Sequence, residues 1–239
     1  MVEVLERGNI YFVYRPKEER PPQGVEDVQR FYLVLKPQGK ARFRLLQIGQ
    51  KELPRVQDGG QRYWGFVEKV GQRAEEVEDE LEAQPGQPVA RPAGEGVYAI
   101  VRHENHTHLA YALELPGGPG PVQRALRIAP EASYVLAVKN PEAPSPRGMG
   151  LSEERQARFS PELQRRFLGR RFIEVDPPDF LDYPGAEVLL IGAARDVSEE
   201  LGLELDPQRE TEETAEVFNE LRMERERHPV ESLLKGEWR

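Results

Sequence analysis

Three of the four histidines lie close together, in the stretch VRHENHTH from 101 to 108. Histidine is a common metal ligand and can move protons near neutral pH. Zinc can be held by three histidines and one water, and that water can become a nucleophile. His103, His106 and His108 therefore predict a divalent-metal site, and with it a metal-dependent, hydrolase-like enzyme.

A β-hairpin would have to position these imidazoles. The flanking segments have the composition of strands, and Glu104 with Asn105 would form the turn between them. In that register His103 lies opposite His106, and His108 shares their face. A shift of one residue would separate the imidazoles. The alternative interpretation is a polar hairpin tip that binds no ion.

A second candidate site is the arginine-rich segment RQARFSPELQRRFLGRR, which ends at Arg171. The planar guanidinium donates in a fixed fork that matches phosphate. The segment from Arg155 to Arg171 predicts a phospholigand or nucleic-acid binder, with Arg165, Arg166, Arg170 and Arg171 as the ligand-binding residues. The alternative is that these arginines pair with the acidic C-terminal segment of the same chain.

Two further motifs favour structural roles. The loop LPGGPGP, 115–121, precedes a helix but lacks phosphate-loop spacing, and its prolines remove amide donors. Asp176, Asp179 and Asp182 lie in a proline-rich turn region, where aspartate commonly caps local backbone. We interpret the first as a connection and the second as turn chemistry.

Composition and charge narrow the classes of function. The sequence has 239 residues, a net charge of −9 and no cysteine, which excludes thiolate metal sites and cysteine nucleophiles. We see neither a signal-peptide pattern nor an apolar run of membrane-spanning length, so we expect a cytoplasmic protein with no membrane contact. Residues 196–220 carry ten acids and one base. Such a stretch repels phosphate backbones and disfavours nucleic acid as a partner.

The elements predict an α+β fold, in which a largely antiparallel or mixed β-sheet built from hairpins is flanked by helices. Apolar residues recur every three or four positions after Arg62, which predicts a helix over 61–83, with a strand at 62–70 as the alternative. Proline and glycine predict a loop over 85–96. Strands are predicted at 8–16, 30–36, 41–49, 97–103, 106–115, 133–141 and 186–192.

The C-terminal residues predict a separate element. We expect a single α+β domain over 1–208 and a C-terminal helical arm over 209–239. The apolar stripe of the arm stops after Met223 and returns in VESLLKGEW. Such an arm can pack on its own domain or clasp a second subunit, so residues 210–239 predict a homodimer as one of two arrangements.

Several stretches together resemble a group of uncharacterised bacterial proteins. They are RPAGEGVYAIVRHENHTHLAYALELP, RIAPEASYVLAVKNP and RRFIEVDPPDFLDYPGAEVLLIGA, with a weaker similarity at GNIYFVYRPK and RYWGFVEKV. The resemblance covers about 91 to 193 and implies a bacterial cytosolic origin and one integrated domain. It implies no activity, cofactor or catalytic residue.

Our leading functional hypothesis is a non-catalytic cytoplasmic binding or interaction protein that self-associates. It depends on the lack of a recognisable catalytic motif and on the C-terminal arm. The metal-dependent enzyme and the phospholigand binder are the two alternatives.

Overall fold

The structure is a computed structural model that describes residues 2–56, 60–146, 149–208, 210–223 and 226–238. Within these residues the strands are β1 (Val2–Pro16), β2 (Val28–Pro37), β3 (Phe43–Ile48), β4 (Arg62–Gly71), β5 (Arg91–His103), β6 (His106–Leu115), β7 (Glu131–Lys139), β8 (Phe172–Glu174) and β9 (Glu187–Gly192). The helices are α1 (Ala74–Leu81), α2 (Pro121–Leu126), α3 (Pro161–Arg166), α4 (Val197–Leu201), α5 (Glu216–Glu220) and α6 (Glu231–Leu234).

Eight of the strands close into an antiparallel β-barrel. The order around the ring is β6, β5, β1, β2, β3, β4, β9 and β7, and β7 also pairs with β6. The closing ladder joins His108–Ala112 to Glu131–Val135. β8 is an extra strand on the remaining part of β7, at Ala137–Lys139. Closure leaves the eight strands without the open edges that an α+β sheet would have.

The predicted α+β fold with flanking helices is therefore wrong. Where the apolar spacing predicts one helix over 61–83, the chain forms β4 and then only the two-turn helix α1. β4 pairs with β3 on one side and with β9 on the other, so both neighbours satisfy its backbone. Those two ladders connect residues far apart in the sequence, and they override the local helical pattern.

Glycine explains why the start of β5 reads as a loop. The strand begins at Arg91, inside the predicted loop over 85–96. A Cβ on Gly96 would lie 2.1 Å from the carbonyl oxygen of Ala112 in the neighbouring strand. Only glycine permits this close approach of two strand backbones, so a residue type that usually marks a loop is here required inside a strand.

The inside of the barrel is a closely packed aromatic and aliphatic core. Phe12, Tyr111 and Tyr134 face inward and are buried, and Phe12 contacts Tyr111 edge-on at 4.9 Å between ring centroids. α2 contributes Val122 and Leu126 to this core at one end of the barrel. The segment from 157 to 181 contributes a second aromatic group, which includes Phe159, Phe167 and Phe180.

The C-terminal segment covers part of the outer wall of its own barrel. We call residues 206–238, as far as they are described, the strap. Val217, Leu221 and Leu233 of the strap are buried against outward-facing side chains that include Tyr11 and Val34. The strap contains only the short helices α5 and α6. The predicted C-terminal helical arm is therefore wrong, because the strap follows the barrel surface with only two short helices among its described residues.

Candidate functional site

The histidine hairpin has the predicted register. His103 pairs with His106 across the turn, and Val101 pairs with His108, so the three imidazoles share the outward face of the barrel. The side chain of His106 is exposed and that of His108 is buried. Glu104 in the turn has a left-handed backbone, with φ of 54°.

Helix α4 covers the imidazole face. Val197 and Leu201 of α4 pack against the small side chains below the histidines, including Val101. Glu200, also on α4, brings a carboxylate oxygen to 3.9 Å from Nδ1 of His108. Burial, together with the charges of His103 and His106, lowers the pKa of His108 to about 4.

The histidines and their surroundings do not form a nucleophile–base arrangement. Nδ1 of His108 is buried and has no hydrogen-bond partner. The hydroxyl of Ser133 donates to Glu200, so the carboxylate lies between the serine and the imidazole, and the imidazole is not placed to take the serine proton. Among the described residues no group of three or more His, Cys, Asp or Glu side chains is arranged to hold a metal ion. The metal site stays a prediction.

The arginines of the arginine-rich segment are exposed. Arg166 donates to the carbonyl oxygen of Asp176 at 3.2 Å, Arg170 lies 3.9 Å from Glu174, and Arg171 stacks over Phe172. Arg155 reaches Glu68 at 3.5 Å, and Arg165 lines a shallow surface depression. The described ion pairs thus join these arginines to nearby acids, and not to the acidic C-terminal segment as the pairing hypothesis predicted.

The aspartates at 176–182 act in ion pairs rather than as turn caps. Asp182 accepts from Arg44 at 2.7 Å, and Arg44 also donates to Glu6 at 2.6 Å. Tyr98 donates its hydroxyl to the same Glu6 at 2.9 Å. Arg44 is fully buried, so this network fixes the end of the barrel near the turn that joins β2 to β3. Asp176 pairs on the surface with Arg102 at 2.6 Å.

The opposite end of the barrel carries a cavity that sequence reasoning missed. We call it the arginine mouth, and it has a volume of about 570 Å³. Its polar walls include Arg55, Arg124, Arg127 and Arg195, and its apolar walls include Val56, Ile128 and Ala129. Among the residues that the structure describes, the lining includes no carboxylate and no histidine. In a chain whose net charge is −9, this is a local concentration of positive charge.

The end of α2 positions one of these arginines. Arg127 ends the helix in the left-handed conformation, with φ of 59°, and its backbone N–H donates to carbonyl oxygens of the helix. Such a backbone costs a non-glycine residue roughly 1–2 kcal/mol. The guanidinium donates to Tyr63 at 3.0 Å and to Gln61 at 3.1 Å, and it pairs with Glu52 at 2.8 Å. These contacts hold Arg127 in place at the cavity wall.

Arg124 and Arg195 are directed to solvent. Arg124 donates to the carbonyl oxygen of Pro119 at 2.7 Å, and both Arg124 and Arg195 are exposed. Neither has a carboxylate partner among the described residues. Burial raises the pKa of Tyr134 at the base of the mouth, so this tyrosine remains a neutral phenol. The mouth therefore offers positive charge and hydrogen-bond donors beside an apolar wall.

A weak sequence signal existed for only part of this site. Arg124 and Arg127 stand three residues apart in PVQRALRIAP, the segment that forms α2 and its C-terminal end. Arg55 and Arg195 come from connections after β3 and β9, far away in the sequence. Nothing local links these positions, because barrel closure alone brings the connections together.

The fold and the cavity define a closed β-barrel with an arginine-lined mouth, and barrels of this kind commonly bind ligands at such openings. No protein-family model, curated protein or solved structure matches the chain. Among the described residues, no helix has the length and apolar character that crossing a membrane requires.

Proposed function

We propose that this chain is a non-catalytic binding protein whose ligand is a small organic anion with an apolar body. The observation that carries the proposal is the arginine mouth, where the exposed side chains of Arg124 and Arg195 lie at one cavity and its described lining includes no carboxylate. Arg55 and Arg127 line the same cavity. Guanidinium groups favour carboxylate, sulfonate and phosphate ligands because they donate two hydrogen bonds to a planar pair of oxygens.

The shape of the cavity supports an organic ligand rather than a bare ion. About 570 Å³ lies within the usual range for small-molecule sites. Val56, Ile128 and Ala129 supply an apolar wall, while the arginines lie nearer to solvent. A ligand that fits would place its apolar part against the wall and its anionic group among the guanidiniums.

The chemistry of the lining favours binding over catalysis. A general base would need a group that can take a proton near neutral pH. Arginine stays protonated, and Tyr134 keeps its proton because burial raises its pKa. The cavity thus provides charge and shape, and its described lining provides neither an activated nucleophile nor a base.

The test uses 8-anilinonaphthalene-1-sulfonate, an aromatic sulfonate that becomes fluorescent in apolar sites. We expect saturable binding of one molecule per chain, and charge reversal by Arg124→Glu or Arg195→Glu should weaken it by about tenfold or more. N-phenyl-1-naphthylamine, which has the same apolar body without the sulfonate, should bind more weakly than the sulfonate.

The matched control is Arg73→Glu. It makes the same charge change at an exposed arginine that forms a salt bridge with Glu76. It should leave the affinity within about twofold of wild type. Equal affinity of the sulfonate for wild type, Arg124→Glu and Arg195→Glu would refute the proposal, as would binding that increases without saturation.

The metal-dependent enzyme at His103, His106 and His108 remains the second candidate. What favours it is the buried, unpartnered Nδ1 of His108, which lies 3.9 Å from a carboxylate oxygen of Glu200. Metal analysis of gently purified protein tests this candidate. Stoichiometric zinc, manganese or iron that is lost in His108→Ala would support it, and metal-free wild type would count against it.

A third candidate is a phospholigand or nucleic-acid binder whose site is the arginine-rich segment. Its support is the exposure of Arg165 and Arg166 beside each other on α3. Salt-sensitive binding of a phosphorylated probe must weaken when both residues are changed to glutamate. If the probe instead responds to Arg124→Glu, the arginine mouth is its site.

The proposal also keeps a cytoplasmic location and self-association through residues 210–239, and it disfavours nucleic acid as the partner. The buried apolar residues of the strap support a clasp, because a second barrel would offer the strap the same contacts. Light scattering gives the mass that decides between one chain and two.

A further inference from the structure

The end of the strap is attached to the helix that carries two arginines of the mouth. The N–H of Val122 in the first turn of α2 donates to the carbonyl oxygen of Gly236 at 3.0 Å. Gln123 donates its side-chain amide to the carbonyl oxygen of Ser232 at 2.8 Å. A Cβ on Gly120 would lie 2.5 Å from the oxygen of Gly236, so the two segments are in close backbone contact. The strap therefore supports the N-terminal turn of α2, which otherwise has unpaired N–H groups.

Aromatic packing reinforces the same attachment. Trp238 meets Tyr14 edge-on, with 5.3 Å between ring centroids. The hydroxyl of Tyr14 lies 2.8 Å from the hydroxyl of Ser232, and both residues are buried. These contacts hold the strap against the end of the barrel that carries the arginine mouth.

The first part of the strap is held by two buried carboxyl groups of the barrel wall. Glu95 on β5 accepts from the backbone N–H of Val217 at 2.9 Å and of Glu216 at 3.2 Å. Glu114 on β6 accepts from the backbone N–H of Gln208 at 2.5 Å. Glu95 is 1% exposed and Glu114 is 8% exposed, so neither carboxyl group is well hydrated.

Many other acids face these two groups. The strap itself brings Glu210, Glu216, Glu220 and Asp206 to this region, and Tyr11 lies opposite Glu95 in β1. The cations described in this region include Lys36 on β2, which pairs with Glu220, and Arg7 and Lys40, which line the same cavity as Asp206, Glu216 and Glu220. Glu95 and Glu114 themselves are buried, so their ionisation would place negative charge in a poorly hydrated interface.

Protons relieve this crowding near neutral pH. Burial, followed by a hydrogen bond with Glu210, raises the pKa of Glu95 to about 9. Burial raises the pKa of Glu114 to about 7. The docked strap is therefore compatible with a protonated Glu95, and it becomes less favourable as the pH rises through these values.

A third anchor of the strap is a histidine. His228 is fully buried, with Nδ1 2.8 Å from the carbonyl oxygen of Ala90 and Nε2 3.2 Å from a carboxylate oxygen of Glu82. Arg227 also pairs with Glu82 at 2.6 Å, and Arg15 donates to backbone carbonyls of the same loop.

We propose that protons hold the strap on the barrel, and that the docked strap keeps α2 in the position that forms the arginine mouth. A rise in pH releases the strap from Glu95 and Glu114 of the barrel wall and weakens binding of the anionic ligand. The effect on ligand binding rests on the proposed function, whereas the release of the strap does not.

Hydrogen exchange followed by mass spectrometry tests the release without any ligand. After correction for intrinsic exchange rates, protection of strap amides should fall by about tenfold or more between about pH 6 and about pH 9.5. Glu95→Gln, which keeps a neutral acceptor, should retain most of its protection at the higher pH. Glu210→Gln removes the facing charge from the strap and serves if the first variant does not fold.

The matched control is Glu213→Gln, which removes an exposed strap charge outside this cluster. Glu213→Gln should follow wild type. Protection of wild type that does not change with pH would overturn the proton-held strap, and so would equal loss of protection in wild type, Glu95→Gln and Glu210→Gln.

Gly236→Ala tests the connection to the mouth. Gly236 has φ of 68°, and an added Cβ would lie 2.6 Å from Gly120, so alanine should push the strap off α2. Affinity for 8-anilinonaphthalene-1-sulfonate should fall by about fivefold or more, while Gly169→Ala should not change it. Gly169 has φ of 75° and open space around it, so Gly169→Ala introduces similar backbone strain but no steric clash.

The two proposals fail in different ways. If wild type binds no sulfonate, the proposed function fails, and hydrogen exchange still decides whether protons hold the strap. If wild type binds the sulfonate with an affinity that neither Gly236→Ala nor a rise in pH changes, the regulation is overturned and the ligand site stands.

Discussion

Buried charged side chains show what single residues contribute to this barrel. Arg44 is fully buried, yet it contacts two carboxylates, Glu6 and Asp182, at hydrogen-bonding distance. Removing one partner of a buried pair leaves the other charge without compensation, which costs far more than the loss of an exposed pair.

Arg44→Met should lower the free energy of unfolding by about 3–5 kcal/mol, because Glu6 would remain buried without its partner. Denaturant titration measures the loss. The double variant Arg44→Met/Glu6→Met should recover a large part of it. Arg20→Met, in an exposed pair with Glu18, should change the stability by less than about 1 kcal/mol. An equal effect of Arg44→Met and Arg20→Met would contradict the importance of burial.

His108 should make the protein less stable in acid. Its pKa is lowered to about 4 in the folded state, below the ordinary value of 6.5, so the unfolded chain binds a proton more tightly. The contribution is present above pH 6.5 and is lost as the pH falls toward 4. Between about pH 7.5 and about pH 4.5, His108→Asn should lose less stability than wild type, by up to about 3 kcal/mol. His106→Asn, at an exposed position, is the control. The effect is ruled out if the free energy of unfolding of His108→Asn depends on pH as steeply as that of wild type.

At the scale of elements, the turn of the histidine hairpin holds a residue in an unfavourable conformation. Glu104 is exposed and has φ of 54°. A left-handed backbone is costly for glutamate and less costly for asparagine. The fixed register of β5 and β6 maintains this conformation, since the flanking pairs leave two residues for the turn.

Glu104→Asn should therefore raise the free energy of unfolding by up to about 1 kcal/mol, and Glu104→Val should lower it. The side chain of Glu104 is exposed, so the difference between the two variants reports backbone conformation. Thermal unfolding of the two variants and wild type measures the sign of each change in the free energy of unfolding. The same sign for both substitutions would show that the left-handed turn does not limit hairpin stability.

For the whole molecule, the strap links the outer wall of the barrel to its arginine mouth. It covers apolar residues that include Tyr11 and Val34 on the wall. Uncovered, this surface would favour association with any similar surface. The strap can make the same contacts with its own barrel or with a second copy.

Self-association through residues 210–239 predicts the mass of two chains by light scattering, with no dependence on the arginine mouth. Leu233→Asp, at a fully buried strap position, should remove the dimer or detach the strap, which hydrogen exchange distinguishes. Arg124→Glu should keep the wild-type mass. A single-chain mass at all concentrations up to the micromolar range would exclude the homodimer.

Local sequence was sufficient for the histidine hairpin. Alternation of apolar residues and a two-residue turn determine the register, and that register places His103, His106 and His108 on one face as predicted. The N-terminal caps of α3 and α4 are equally local, since the side chains of Ser160 and Asp196 each accept from an N–H three residues ahead. These features depend on interactions within a few residues.

Tertiary structure decided the barrel and its mouth. The pairing of β6 with β7 and of β4 with β9 joins distant segments. Pairing with β9 makes β4 a strand where a helix is predicted, and pairing with β1 makes the start of β5 a strand where a loop is predicted. The arginine mouth has no sequence motif, since Arg55, Arg127 and Arg195 meet only after the sheet closes. Local patterns determine which residues can form a hairpin. Which hairpins become neighbours, and which side chains then share a cavity, depends on contacts that the sequence does not encode locally.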